Sequence, residues 1–91
     1  MTNAEIAKVF QDIANRLARN KENIFKIRAY QKAAQSIEGL AEPVEKLVAE
    51  GRLREIPGVG EAIAKKITEL ITTGKLAFHE RLKAEVKGDK G

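Results

Sequence analysis

The sequence predicts an all-α domain, a compact bundle of about four to five short helices, on three observations. Apolar residues recur at helical spacing in successive windows, the pattern of amphipathic helices packed around one core. No window alternates apolar and polar residues between turn signals, as a half-buried strand would. Proline and most glycines fall between the periodic windows, where they cap and separate helices.

The first window carries Ile6, Val9, Phe10, Ile13 and Leu17, and Thr2 with Glu5 forms a capping box ahead of it, so a helix runs from about Asn3 to Arg19. Asn20 to Asn23 break the pattern. Ile24, Ile27, Ala33, Ala34, Ile37 and Leu40 resume it around Tyr30 in a second helix ending near Gly39. Pro43 suits a first helical position, Val44, Leu47 and Val48 form a short stripe, and Gly51 sits where a left-handed C-terminal cap belongs. Leu53 and Ile56 imply one helical turn over Arg52 to Glu55, which Pro57 keeps from continuing. Ile63, Ile67, Leu70 and Ile71 give a helix from about Glu61 to Thr72 closed by Gly74, and Leu76, Phe78, Leu82 and Val86 a last one. Residues 1–87 thus form one domain and 88–91 a frayed tail, with Phe10, Phe25 and Phe78 expected in the core.

Composition narrows the function. Hydrophobic content of 43% with 33% charged residues fits a soluble globular chain, and no window approaches the roughly 18 uninterrupted apolar residues of a spanning helix. The start "MTNAEIAKVF" reads as no signal-peptide core, so the expected location is the cytoplasm, away from membranes. With no cysteine and one histidine, thiolate or clustered-histidine metal sites are excluded, and His79 reads as a surface residue without a partner. Seventeen basic against thirteen acidic residues give net +4 and a pI near 9.5, pointing to a polyanionic partner. The excess is local: Arg16, Arg19, Lys21, Lys26, Arg28 and Lys32 face Glu22 alone, while Glu38 to Glu50 is acidic.

The stretch "LREIPGVGEAIAKKI" concentrates the functional signal. A Gly-Val-Gly loop opening a helix leaves its first backbone N–H groups unpaired at the positive end of the helix dipole, an anion site. A side chain at Gly58 or Gly60 would obstruct a phosphate or distort the turn. Two glycines also make a plain tight turn, so the loop alone leaves both roles open.

This stretch resembles a helix-hairpin-helix motif, an apolar-Pro-Gly-apolar-Gly turn before an Ala/Ile-rich helix. Together "NIFKIRAYQKAAQSIEGL" and "GVGEAIAKKITELITTGKL" are similar to the N-terminal, lyase-type domain of family X DNA polymerases of the beta type, over roughly Ala4 to Val86. The resemblance implies a helical domain that binds single-stranded, gapped or damaged DNA through its backbone in repair, in company with a polymerase or repair partner. It implies contacts from Gly58, Val59, Gly60, Glu61, Ala62 and Lys65 around the hairpin, and from Lys26, Tyr30 and Arg54 beside it. Tyr30 would stack on a base or donate its hydroxyl to a phosphate; its core-like neighbours leave a buried aromatic as the other reading.

In some members the domain is a 5′-deoxyribose-phosphate lyase with a Schiff-base lysine, and the motif places that nucleophile at Lys66. A solvated helix lysine is the alternative there. Backbone carbonyls of Arg54, Ile56 and Val59 would hold a monovalent cation, Na+ or K+, with no other cofactor required. The sequence departs from the pattern at Phe25, Ala62 and Phe78, where basic residues are expected. No second domain supplies the carboxylates of nucleotidyl transfer, so the chain is expected to be no polymerase alone, to act as a monomer, and to be an excised domain or a free-standing relative. A helical protein-interaction domain is the competing class.

Overall fold

Thr2 and Glu5 set the start of the first helix as their spacing predicts. The Thr2 hydroxyl accepts from the Glu5 N–H at 3.1 Å and the Glu5 carboxylate accepts from the Thr2 N–H at 2.8 Å. The computed structural model describes residues 1–85. Every element among them is helical: α1 (Asn3–Arg19), α2 (Ile24–Glu38), α3 (Val44–Ala49), a 3-10 turn (Leu53–Glu55), α4 (Glu61–Thr73) and α5 (Ala77–Ala84). Val86 and the tail at 88–91 lie outside the described residues.

The link between α1 and α2 closes a Schellman-type cap without glycine. Lys21 takes the left-handed conformation at φ 58°, its N–H donates to Ala18 O at 3.1 Å, and the Glu22 N–H donates to Leu17 O at 3.0 Å. α2 returns along α1, and Ile6, Phe10, Ile13 and Leu17 join Ile27, Ala33 and Ile37 in one buried cluster. Burying each large side chain there contributes roughly 1.5 to 3 kcal/mol, which makes this helix pair the platform of the fold.

α3 is too short to stand alone and is capped from a distance. Asn3 Oδ1 accepts from the Val44 N–H at 2.8 Å while Asn3 Nδ2 donates to Glu42 O at 2.8 Å. Pro43, expected as a first helical residue, is the N-cap instead: its ψ of 138° is extended, and Asn3 supplies the oxygen that proline lacks. Leu53, Ile56 and Val59 are buried, so the chain is pinned before and within the hairpin that leads into α4.

Two further expectations about single residues are overturned. Phe25 is not core but 74% exposed, and Ile24 is 50% exposed. The buried face of α2 is set by Ile27, Tyr30, Ala33, Ala34 and Ile37, and at about 100° per residue Phe25 points away from it. His79 is not a surface residue: it is 9% exposed, and its Nε2 lies 2.7 Å from Asp12 Oδ2 on α1. It falls three residues from both Leu76 and Leu82, and so shares their buried stripe on α5.

Candidate nucleic-acid interface

Pro57 to Gly60 form the turn, and its two glycines differ. Gly58 has φ +84°, a region side chains rarely adopt, and a Cβ there would stand inside contact distance of Lys32 Cγ. The fold itself requires that glycine. Gly60 is extended at φ −95° and ψ −168°, and a Cβ there would meet nothing within 4 Å. Nothing inside the molecule requires Gly60 to lack a side chain, and its open side faces solvent.

Gly60 is also the N-cap of α4, and it caps nothing. The other helices each receive a side-chain oxygen at their first amides. Thr2 serves α1, Asn23 serves α2 through Phe25 N–H at 2.7 Å, Asn3 serves α3, and Glu69 Oε2 serves α5 through Ala77 N–H at 2.8 Å. At α4 there is no side-chain cap. Among the described residues the N–H groups of Gly58, Gly60, Glu61, Ala62 and Ile63 have no acceptor, and the chain provides only the dipole behind them. Val59 differs: its N–H closes the turn onto Ile56 O at 3.0 Å and its side chain is buried, so that amide is not free for a ligand.

Glu61 and Lys65 are exposed on the first turn of α4, paired loosely at 3.8 Å. They line an open depression with Ala62 and Lys66. Arg54 is exposed on the 3-10 turn just before the hairpin. The backbone bonds leave the Arg54 and Val59 carbonyls without a donor, while Ile56 O already accepts from Val59. These oxygens suit a hard monovalent cation in chemistry, with one lone pair of the Ile56 carbonyl used.

A second group of cations gathers beside α4. Phe10, Tyr30 and Phe78 stack in a column with centroids 5.9 Å apart at each step and planes 18° and 24° from parallel. At its outer end Lys66 Nζ lies 5.3 Å, Lys26 Nζ 5.8 Å and Arg81 Cζ 5.9 Å from the Phe78 centroid. None of the three forms an ion pair among the described residues, and Lys66 is half-buried. Three positive charges around one ring, on three helices and without a counterpart among the described residues, concentrate positive potential on this face.

Tyr30 cannot stack on a base, because Phe10 and Phe78 occupy its two faces and the residue is 5% exposed. Burial pushes its phenol up to about 12, so the neutral hydroxyl is the form present. Phe78 is the rim of this column, packed against the core on one side and against cations on the other. Arg16, counted in the sequence's basic run, is spoken for: its Nε lies 2.7 Å from Asp12 Oδ2.

Sequence reasoning missed Arg81, Phe25 and the role of Phe78. Arg81 is three residues beyond Phe78 on α5, a spacing that puts both on one face. Phe25 was detectable from helical phase, as an apolar residue of α2 that points outward next to Lys26. The hairpin, its uncapped helix and the helices packed around it agree with one further finding. Residues 1–76 match the family model described as "Helix-hairpin-helix domain", and the chain belongs to that family.

Proposed function

We propose that this chain is a module that grips the sugar-phosphate backbone of single-stranded, gapped or damaged DNA in repair, without reading sequence. Helix-hairpin-helix domains generally bind DNA. The observation that carries the reading is the start of α4, the helix whose first amides receive no oxygen from the described residues. A backbone phosphate supplies that oxygen, with the approach kept clear at Gly60. Lys26, Lys66 and Arg81 hold a neighbouring phosphate, and the exposed ring of Phe25 offers a face to an unpaired base. The Arg54, Ile56 and Val59 carbonyls would hold a monovalent cation, whose positive charge would favour an anion at the turn.

The test is an NMR titration with a 5′-phosphorylated gapped duplex at low salt. The amides of Gly60, Glu61, Ala62 and Ile63 should shift together with those of Phe25 and Lys66, and affinity should fall steeply as salt rises. Absence of binding at low salt overturns the reading.

One observation favours a second activity, a 5′-deoxyribose-phosphate lyase. Lys66 is a half-buried residue whose amine lies over the Phe78 ring that Lys26 and Arg81 also approach, so a phosphate held by those two would bring an abasic sugar to it. Attack of the amine on the aldehyde carbon releases water and forms an imine. Loss of the C2′ proton then breaks the C3′–O bond and expels the 3′-side phosphate. Borohydride should trap the imine as a covalent adduct that Lys66→Ala abolishes; trapping that survives the substitution removes Lys66 from the role.

A further inference from the structure

α2 touches the hairpin at two points one helical turn apart. The Ser36 hydroxyl donates to Pro57 O at 2.7 Å. One turn earlier, the stem of Lys32 runs beneath Gly58, so close that a Cβ on that glycine would lie 3.4 Å from Lys32 Cβ, 3.5 Å from Cδ and inside contact distance of Cγ. Lys32 is exposed, and its ammonium has no carboxylate within ion-pair distance among the described residues. The head group is two bonds beyond Cδ and stays beside the turn.

We infer that Lys32 is the hairpin's own cationic phosphate ligand and that the Ser36–Pro57 bond is the latch that holds the turn in its binding geometry. This rests on the DNA-binding reading above. A lysine stem ordered by packing loses less rotamer freedom when its head group meets a phosphate, so the contact is preorganised. Ser36 acts differently. It fixes the carbonyl of Pro57, and through it the orientation of the Gly58 and Gly60 amides. Lys32 is therefore a binding residue and Ser36 a positioning residue.

The experiment measures anisotropy of a 5′-phosphorylated single-stranded oligonucleotide across a salt series, with amide spectra of each free variant. Lys32→Met keeps the stem and removes the ammonium. It should leave the hairpin amides of the free protein in place, weaken binding by about fivefold and lower the salt slope by about one, while Lys32→Arg retains the slope. Ser36→Ala should move the Gly58 and Gly60 amides of the free protein and weaken binding at an unchanged slope. Wild-type affinity and slope in Lys32→Met overturn the ligand role, and wild-type amides and affinity in Ser36→Ala overturn the latch. A wild-type protein that fails to bind at low salt overturns instead the reading beneath both.

Discussion

The corner around Arg52 and the face around Phe78 both gather charge from several elements, and they use it in opposite ways. At the corner, Arg52 bonds Glu42 at 3.2 Å, Glu55 at 3.1 Å and also Glu50, while Lys46 adds a contact to Glu42 at 3.3 Å. The hydrogen bond from Arg52, then that from Lys46, holds the Glu42 carboxyl below its ordinary value, and the carboxylates of Glu55, Glu50 and Glu42 push the guanidinium up. The protonic and electrostatic needs of this cluster are met within the chain. Around Phe78, Lys26, Lys66 and Arg81 meet no carboxylate among the described residues, and the first α4 amides meet no acceptor there. Density of charge therefore does not distinguish the two regions; whether the charge has a counterpart does.

The two glycines of the hairpin give the largest contrast. Gly58→Val forces a β-branched residue to φ +84° and into Lys32, and should cost about 2 to 3 kcal/mol by thermal or chemical denaturation. A Cβ at Gly60 meets no neighbour on an allowed backbone, so Gly60→Val should lower stability by no more than about 1 kcal/mol, the cost of a poorer N-cap. The same change should weaken DNA binding at least about tenfold, a loss of ~1.4 kcal/mol, by blocking the phosphate's approach. Retained affinity in Gly60→Val would show that the phosphate does not approach there.

Salt dependence separates the two charged regions next. Lys26→Gln, Lys66→Gln and Arg81→Gln should each lower the slope of log affinity against log salt by about one. Arg52→Gln should leave the slope at its wild-type value, although it breaks more ion pairs than any of the three. Equal losses from Arg52→Gln would dissolve the distinction between a balanced and an open region.

Tyr30 tests whether the aromatic column is closed. The sequence contains one tyrosine, so phenolate absorbance reports this residue alone. Because burial raises its phenol to about 12, the stability tied to the neutral form is complete below the ordinary value near 10 and is lost as pH rises through the folded one. Absorbance should stay flat through pH 10 and rise together with unfolding. A simple titration near 10 in the folded protein would mean that the ring is solvated and free to meet a base.

What the sequence disclosed was local. The Thr2–Glu5 capping box lies within four residues, Gly51 and Gly74 fall within two residues of the helix ends they mark, and the hairpin lies in one stretch, so adjacent chemistry suffices to predict each. The site beyond the hairpin depends on what the fold brings together. Lys26, Lys66 and Arg81 come from three helices, Asn3 caps α3 from 41 residues away, and Lys32 reaches Gly58 across two intervening elements. Helical phase carried part of the missing information: it directs Phe25 outward and His79 inward. Periodicity says which way a side chain points but not which element it meets, so the partner of His79, 67 residues distant, could not be read from its neighbours.

That partner gives the smallest effect, and it lies where α1 meets α5 rather than in either charged region. Burial acts to raise the Asp12 carboxyl, but the hydrogen bonds from Arg16 and His79, with their charges, outweigh it and hold the group below its ordinary value. A depressed carboxyl contributes stability that is present above its unfolded value, near 3.9, and is lost as pH falls through the folded one. The stability of the wild-type domain should therefore decline as pH drops below about 4. Asp12→Asn keeps an acceptor near His79 but removes the charge, and should cost about 1 kcal/mol at neutral pH, modest because the carboxylate is about one-third exposed. The two proteins should converge in stability at the acid end. Parallel curves of melting temperature against pH would show that the Asp12 charge does no work in joining α5 to α1, and that His79 is held there by packing beside Leu76 and Leu82 alone.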